Sequence, residues 1–549
     1  MTPSGANGAT SDDLLATFID EELAEAPTAA TSLGVDGHDH ELPDLSASAF
    51  ARRAARTDHW LSSFEAVADD SLALDQSIDR DLVLAALRGR IVMRDWEVWK
   101  RDPQTYLGPC LSGVFSLFLN RVHPEPDLAR FAAARLRLVP EVLAQGAANL
   151  DPDLAPALFI ERALGACQAG VGYARNLVPE EVSDSTLRAE LVEAGEVAAA
   201  AFTSFSDTLR ALIPTCTGEW AIGEARYSAL LEQKELLGYG AATMRGKGQA
   251  AYDELSAEME RVAAQIDPQA SGWREVVEAL NQDHPATPEE MRDTYDTWTQ
   301  KARQFLIDHG IVTLADGERC NVVPSPPFQR PVLAVASYST PPMFKESMTG
   351  HFFVPFPPDG TSAEDVQKRL ETNSRASIPT IAVHEAYPGH HWHLTWTKVN
   401  KIQERRVRAL LPTAYFSEGW ALYAERVMRE FGFFSDPRHD LCHLDARIFR
   451  AARIVVDTSL HMGEMTVDEA VRFMMDNASL SEPTARAEVG RYCTWPTQAS
   501  SYLTGSLEIE RIRVAFEKAG KGDVRAFNDK LAASGMLPIA LAERAVMSG

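Results

Sequence analysis

Four histidines and one glutamate lie within the ten-residue stretch HEAYPGHHWH, residues 384–393. In many zinc peptidases a helix carries two histidines four residues apart, and the glutamate after the first histidine acts as the base. The residue four places after His384 is Pro388, so a regular helix cannot supply that pair. Pro388 and Gly389 instead predict a break in the helix at 387–389.

Three later histidines are candidates for the second metal ligand. In an unbroken helix His390 would point away from His384, and His391 would lie about two turns, roughly 10 Å, along the axis. A bulge that adds residues to one turn would bring His390 back over His384. We therefore predict His384 and His390 as ligands, with His391 as the alternative and His393 as a further candidate. A buried histidine cluster without a metal is the other interpretation.

A catalytic zinc site needs a third protein ligand and keeps one position for water. Glu418, in the segment SEGWALYAERV at 417–427, is the candidate because it follows His384 by 34 residues, which leaves room for one turn between two helices. Ser417 is the predicted helix cap. Glu425 shares the helical face of Glu418 and is the second choice, or the group that holds a ligand histidine. A first-turn glutamate that only complements the helix dipole is the alternative.

The chemistry that these residues predict is amide hydrolysis by a metal-bound water, with Glu385 as the general base. The developing oxyanion needs a further donor, for which Tyr492 and Tyr502 are candidates and His461 is a weaker one. Simple core packing is the alternative role for each tyrosine.

A peptide substrate has a terminal carboxylate, and an arginine binds such a group through two parallel hydrogen bonds. Arg486 and Arg491 are the predicted substrate-binding arginines. The segment 331–357 could also offer a strand along which an extended peptide pairs.

Most of the chain has amphipathic periodicity and good helix formers, which predicts helices. These helices must position the candidate side chains. The predicted helices are 79–100, 126–145, 185–213, 249–265, 288–309, 361–373, 377–398, 417–433, 438–462, 466–477, 482–492, 498–519 and 523–534. Residues 320–357 differ, because they hold eight prolines and the strand-like runs VLAVASY and HFFVPF.

These elements predict a mainly α protein, a large clefted helical fold of the zinc-peptidase kind with a small β ribbon near 331–357. Residues 1–10 are expected to form a disordered tail. Residues 11–549 are expected to form a single large helical domain, with lobes at about 11–315 and 316–549 around a cleft.

The bulk composition excludes several function classes. The 549 residues carry 53 basic and 78 acidic side chains, a net charge of −25, which disfavours nucleic acid and anionic membranes as partners. The six cysteines are scattered, and the N-terminus lacks the pattern of a secretory signal, so we expect reduced thiols and a cytoplasmic location. The expected partner is a peptide substrate, and a homodimer is the assembly to test.

Several motifs together resemble a bacterial family known as domain of unknown function 885. They are HEAYPGHH, SEGWALYAE, RYCTWPTQASSYLTG at 491–505, PTAATSLG at 27–34 and YLGPCLSG at 106–113. The family is similar to carboxypeptidase Taq-type and oligopeptidase-type zinc peptidases. The resemblance implies His384, one of His390 and His391, and Glu418 as ligands, with Glu385 as base. The spacing after His384 departs from the H-E-x-x-H of those enzymes.

We therefore expect a zinc-dependent metallopeptidase, a carboxypeptidase or oligopeptidase, that holds one Zn²⁺ per chain and hydrolyses short peptides. Two alternatives stay open. One is a metal-dependent hydrolase of non-peptide amides or esters, and the other is a non-catalytic metal-binding helical scaffold.

Overall fold

The computed structural model describes residues 11–548 except 328, 331–334, 359 and 479. Helices make up 70% of the structure and strands 3%, so the prediction of a mainly α fold is confirmed. The predicted tail at 1–10 lies outside the described residues. None of the described helices is long and apolar enough to cross a membrane. The six cysteines are free thiols.

The α-helices follow one another along nearly the whole described chain. They are α1 Ser11–Glu25, α2 Pro27–Leu33, α3 Ala47–Glu65, α4 Leu74–Arg94, α5 Val98–Arg101, α6 Gln104–Asn120, α7 Glu125–Asn149, α8 Ala157–Gly172, α9 Ser185–Leu212, α10 Glu224–Ala229, α11 Ala241–Ile266, α12 Trp273–Asn281, α13 Pro288–His309, α14 Ala363–Glu371, α15 Ile378–Glu385, α16 His390–Val399, α17 Val407–Leu410, α18 Ala414–Glu430, α19 Pro437–His461, α20 Val467–Ala478, α21 Glu482–Thr494, α22 Ser501–Lys518, α23 Val524–Ala533 and α24 Ile539–Met547.

The helix boundaries follow local capping chemistry. At α13 the Thr287 side chain accepts a hydrogen bond from the N–H of Glu290, Pro288 occupies the first helical position, and Gly310 ends the helix in the left-handed region. At α18 the cap is Thr413, so the prediction that Ser417 caps this helix is wrong. The side chain of Thr413 accepts from the N–H of the second helical residue, which starts the helix four residues earlier.

Three short strands form one sheet in the order β1-β3-β2. They are β1 Arg319–Pro324, β2 Ser337–Ser339 and β3 Thr349–Val354. Strand β3 pairs in parallel with β1 and antiparallel with β2. The predicted ribbon is therefore present, although β1 lies before it and part of the predicted strand VLAVASY falls on residues 331–334, outside the described residues.

The buried apolar side chains form two clusters. The larger joins helices from both ends of the chain, from Phe18 in α1 to Val546 in α24, and contains α15 and α18. The smaller lies among α6, α7, α8 and α9. Helix α18 packs directly on α22, where a Cβ atom on Gly505 would collide with the carbonyl oxygen of Tyr415. This close approach fixes α18, which carries two of the candidate site residues, against its neighbour.

Candidate metal centre

The turn between α15 and α16 lies at the predicted break. The N–H of Gly389 donates to the carbonyl of Val383 at 3.0 Å, and the N–H of Trp392 donates to the carbonyl of Ala386 at 3.1 Å. Each bond spans six residues instead of the four of an α-helix, so the turn holds extra residues. It brings His390 back beside the end of α15.

Two features hold this turn in place. Gly389 packs so closely against α15 that a Cβ atom at this position would collide with the carbonyl oxygen of His384, so the turn requires glycine. The carbonyl of Pro388, which follows a cis peptide bond, accepts a hydrogen bond from the indole Nε1 of Trp420 at 2.8 Å. The turn is thereby tied to α18.

Three potential ligand side chains converge at this turn. The rings of His384 and His390 lie 4.9 Å apart and perpendicular to each other. Their Nε2 atoms lie 3.7 Å and 3.6 Å from Oε2 of Glu418. One ligand atom from each residue lies within 4.8 Å of the other two. The structure thus brings together two imidazoles and one carboxylate from three helices.

This arrangement fits a zinc ion. Donor atoms that lie about 2.0–2.2 Å from a tetrahedral zinc are roughly 3.4 Å from one another. The two distances to Glu418 are close to that value. Two imidazoles and one carboxylate are also a donor set of catalytic zinc sites, which leave the fourth position open.

The electrostatics of the three residues are strongly coupled. Burial opposes the charged form of His384, but the nearby carboxylates of Glu418 and Glu425 raise its pKa to about 10. Burial would likewise raise the pKa of Glu418, but the nearby imidazoles of His384 and His390 hold it well below its usual range. A proton on the imidazole therefore occupies the position that a metal cation would take.

Glu425 contacts the ring nitrogen of His384 that does not face Glu418. Its Oε1 atom lies 2.7 Å from Nδ1 of His384, and its Oε2 atom lies 3.3 Å from Nδ1 of the fully buried His443. Although burial acts against ionisation, the two histidines lower the pKa of Glu425 to about 2. A carboxylate hydrogen-bonded to Nδ1 of His384 keeps a proton on Nδ1, so that the lone pair of Nε2 faces the cluster once a metal displaces the other ring proton.

The other two histidines of the stretch point elsewhere. Both ring nitrogens of His391 are engaged, Nδ1 with the hydroxyl of Tyr338 at 2.9 Å and Nε2 with Oε2 of Glu318 at 2.7 Å. His393 is fully buried against Trp420, and burial lowers its pKa to about 3. Of the three later histidines, only His390 joins the cluster.

The cluster opens into a cavity of about 620 Å³. Glu385 lines this cavity and is 8% exposed, and burial raises its pKa. Tyr502 lies in the same wall, where its hydroxyl accepts a hydrogen bond from Nε2 of Gln498 at 3.2 Å. The predicted base and one predicted donor therefore share the cavity with the three potential ligands.

The other predicted donors lie outside the cavity lining. Tyr492 is fully buried, and its hydroxyl donates to Oε2 of Glu488 at 2.7 Å and accepts from Nε of Arg453 at 3.1 Å. His461 is also buried, with Nε2 at 3.0 Å from the carbonyl of Tyr492. Both side chains pack within the helical core.

The two predicted substrate-binding arginines also lie outside the cavity lining. Arg486 is exposed and forms ion pairs with Asp468 at 3.3 Å and Glu482 at 3.2 Å. Arg491 pairs with Glu488 at 3.0 Å and donates to the side-chain oxygen of Gln498. Partners within α20, α21 and the following turn therefore occupy both guanidinium groups.

Sequence reasoning missed the charged residues that α19 places in the cavity, Asp445, Arg450 and Arg453. Burial raises the pKa of Asp445 to about 6. The available signal was the long buried face of α19, on which apolar residues such as Phe449 alternate with charged ones at helical spacing. A charge on a buried face indicates either an ion pair or a site.

A second group of potential ligands, Asp36, Asp39 and His123, lies where the segment after α2 meets the turn between α6 and α7. Here Nζ of Lys345 lies 2.6 Å from Oδ1 of Asp36, and Asp39 accepts a hydrogen bond from Thr31. A lysine already neutralises part of this group. It does not resemble the cluster in the cavity.

Comparisons with known proteins place the chain in a family. The family described as "Bacterial protein of unknown function (DUF885)" matches residues 27–546. No curated protein matches the chain.

Two solved structures share the fold. A candidate lipoprotein of unknown function from Shewanella oneidensis has a TM-score of 0.79 at 21% identity, over 98% of this chain and 99% of that one. A candidate lipoprotein from Colwellia psychrerythraea has a TM-score of 0.82 at 18% identity, over the same shares. The family match over residues 27–546, nearly the whole chain, means that the chain belongs to the DUF885 family of bacterial proteins of unknown function.

Proposed function

We propose that the protein is a zinc-dependent peptidase, a carboxypeptidase or oligopeptidase, that hydrolyses short peptides. One observation carries the proposal, the convergence of His384, His390 and Glu418 in a cavity that Glu385 also lines. The donor set matches catalytic zinc sites, and a carboxylate held beside such a site is the usual base.

Bound zinc would lower the pKa of a water molecule and polarise the substrate carbonyl. The side chains of the protein supply the remaining parts of the reaction. Glu385 accepts the proton of the attacking water and passes it to the leaving amine. Its buried position raises its pKa, which makes it a better base near neutral pH than an exposed glutamate.

Two further residues have supporting roles, one in orienting a metal ligand and one in donating a hydrogen bond to the substrate. Glu425 holds His384 with its Nε2 atom toward the cluster. Among the donors predicted from the sequence, Tyr502 is the one that lines the cavity, and its neutral phenol can donate one hydrogen bond to a developing oxyanion. Burial and the nearby Glu418 raise the pKa of Tyr502, so the phenol keeps its proton at neutral pH.

The size of the cavity supports a short substrate. Small-ligand sites usually have volumes of about 300–1,000 Å³, and the value of about 620 Å³ falls in that range. Such a cavity holds a few residues of an extended peptide. It suits a chain end or a short peptide better than a folded protein.

The test combines metal analysis of the purified full-length chain with digestion of a diverse library of short peptides, followed by mass spectrometry. We expect one zinc ion per chain and cleavage of peptides. Zinc without cleavage would contradict catalysis, and activity confined to non-peptide amides or esters would contradict the peptide substrate. A protein that retains no zinc after zinc loading would contradict the metal centre itself.

A further inference from the structure

Helix α19 carries three buried or half-buried arginines, and two of them have carboxylate partners. Arg447 pairs with Glu510 at 3.0 Å, and Arg453 pairs with Glu488 at 2.8 Å. The third, Arg450, lines the cavity of the metal centre together with the paired Arg453. Within the described part of the chain, no carboxylate oxygen lies within ion-pair distance of its guanidinium group.

The donors of Arg450 are poorly satisfied inside the protein. Nη1 donates to the carbonyl of Ala446, one turn earlier in α19, at 3.0 Å. The Nε atom is buried and has no hydrogen-bond partner among the residues that the structure describes. Arg450 is half-buried, and a guanidinium group cannot lose its proton at neutral pH, so a charge whose buried Nε donor has no acceptor is costly. A ligand that supplies the missing acceptors would remove that cost.

The charges around Arg450 indicate what kind of ligand this is. The neighbouring Arg453 repels Arg450, whereas Glu425 and Glu418 attract it at longer range. Arg450 also interacts electrostatically with Asp445 and Glu385. A cation bound at Glu418 would offset that attraction, so a bound anion would then stabilise the positive charge of Arg450 more strongly. The cavity also holds Glu385 and Asp445, so a dianion such as phosphate would be repelled. A singly charged planar carboxylate matches the two parallel donors of a guanidinium group.

We infer that Arg450 binds the terminal carboxylate of the substrate, so that the centre acts at the free C-terminal end of short peptides. This inference rests on the proposed function. Ile381, Phe449 and Leu480 line the same cavity and suit an apolar side chain on the terminal residue. Arg450 is then the residue that gives carboxypeptidase specificity.

The test uses the zinc-loaded full-length chain with the tripeptide Ala-Ala-Phe and its C-terminal amide as substrates. We expect kcat/KM for the free acid to exceed that for the amide by about 10- to 100-fold, because a buried charge-assisted contact is lost in the amide. Arg450→Gln should remove this preference through KM, with one zinc ion per chain retained. Arg450→Lys should restore part of it, because lysine keeps the charge without the paired donors.

Arg486→Gln is the matched control, because that arginine is exposed and pairs with acids on the surface. It should leave the preference for the free acid unchanged. Equal rates on acid and amide in the wild type would overturn the inference. So would an unchanged preference in Arg450→Gln, or an equal loss of kcat on both substrates, which would assign Arg450 to the oxyanion instead.

Calorimetric binding of N-acetyl-phenylalanine and its amide separates this inference from the proposed function, because it requires no hydrolysis. If no peptide is cleaved, but the acid binds more tightly than the amide and Arg450→Gln abolishes the difference, the peptidase proposal fails and the carboxylate site stands. If peptides are cleaved but the wild type binds both compounds equally, the peptidase proposal stands and the carboxylate site is wrong.

Discussion

Oε1 of Glu425 lies 2.7 Å from Nδ1 of His384, on the side of the ring that faces away from Glu418. The imidazole is therefore held between two carboxylates of the same helix, α18. One of them, Glu418, reaches Nε2 and the other fixes Nδ1. The seven-residue spacing of the two glutamates places both on one face of the helix.

We predict that Glu425→Gln weakens zinc affinity about 10- to 100-fold and leaves the fold intact, because the amide keeps the shape but not the charge behind the ligand. Competition with a chromophoric chelator measures the change. Glu430→Gln, on the same helix but paired with Arg426 and Arg513 at the surface, is the control and should bind zinc like the wild type. Equal affinities of wild type and Glu425→Gln would contradict the role of Glu425.

The neighbouring histidines should respond differently to substitution. His390→Ala should abolish stoichiometric zinc binding with little loss of stability, because its ring lies at the cavity. His391→Ala should lower the free energy of unfolding by about 2–4 kcal/mol, because it leaves the buried Glu318 short of a partner.

Metal analysis and urea unfolding of the two variants measure these effects side by side. Zinc retained in His390→Ala and lost in folded His391→Ala would show that the second ligand is misassigned.

The protonation of His384 makes both zinc binding and stability depend on pH. Its pKa is raised from 6.5 to about 10 in the folded protein without metal, so zinc must displace a proton at neutral pH. Calorimetry in buffers of different ionisation enthalpy should detect this release, and zinc affinity should rise with pH up to about pH 10.

The same shift fixes the sign of the stability change. A pKa that is higher in the folded than in the unfolded state stabilises the protein below pH 6.5, and this contribution is lost as the pH rises toward about 10. Metal-free protein should therefore lose stability over that range. The zinc-loaded protein should not show this loss, and parallel pH profiles of the two forms would count against the assignment.

Glu385→Gln should keep zinc and lose peptide hydrolysis. The expected fall in kcat is about 10²- to 10⁴-fold, since the amide cannot accept a proton. Glu364→Gln, an exposed substitution in α14, is the control for the loss of one negative charge. A folded, zinc-loaded Glu385→Gln protein with wild-type activity would mean that another group is the base.

Much of this centre could be predicted from sequence because its signals are local. Pro388 and Gly389 predict the break, and the spacing of the histidines after it favours His390 over His391 as the one beside His384. The pair Glu418 and Glu425 lies on one helical face. Capping chemistry likewise predicts α13 to the residue.

The remainder depends on contacts between distant segments. Strand β1 could not be predicted because it pairs with β3, about 30 residues later in the chain. Whether Tyr492, Tyr502 or Arg450 faces the cavity depends on how α19, α21 and α22 pack, which their local sequences do not determine. Thr413 and Ser417 are both residue types that cap helices, so the local sequence did not show that Thr413 is the cap of α18.

Anomalous scattering at the zinc edge, from a crystal of the zinc-loaded protein, tests the central claim most directly. The account predicts one strong peak per chain, about 2.0–2.2 Å from Nε2 of His384, Nε2 of His390 and a carboxylate oxygen of Glu418. A peak bound through His391 or at another group of side chains, or no peak in zinc-loaded crystals, would contradict it.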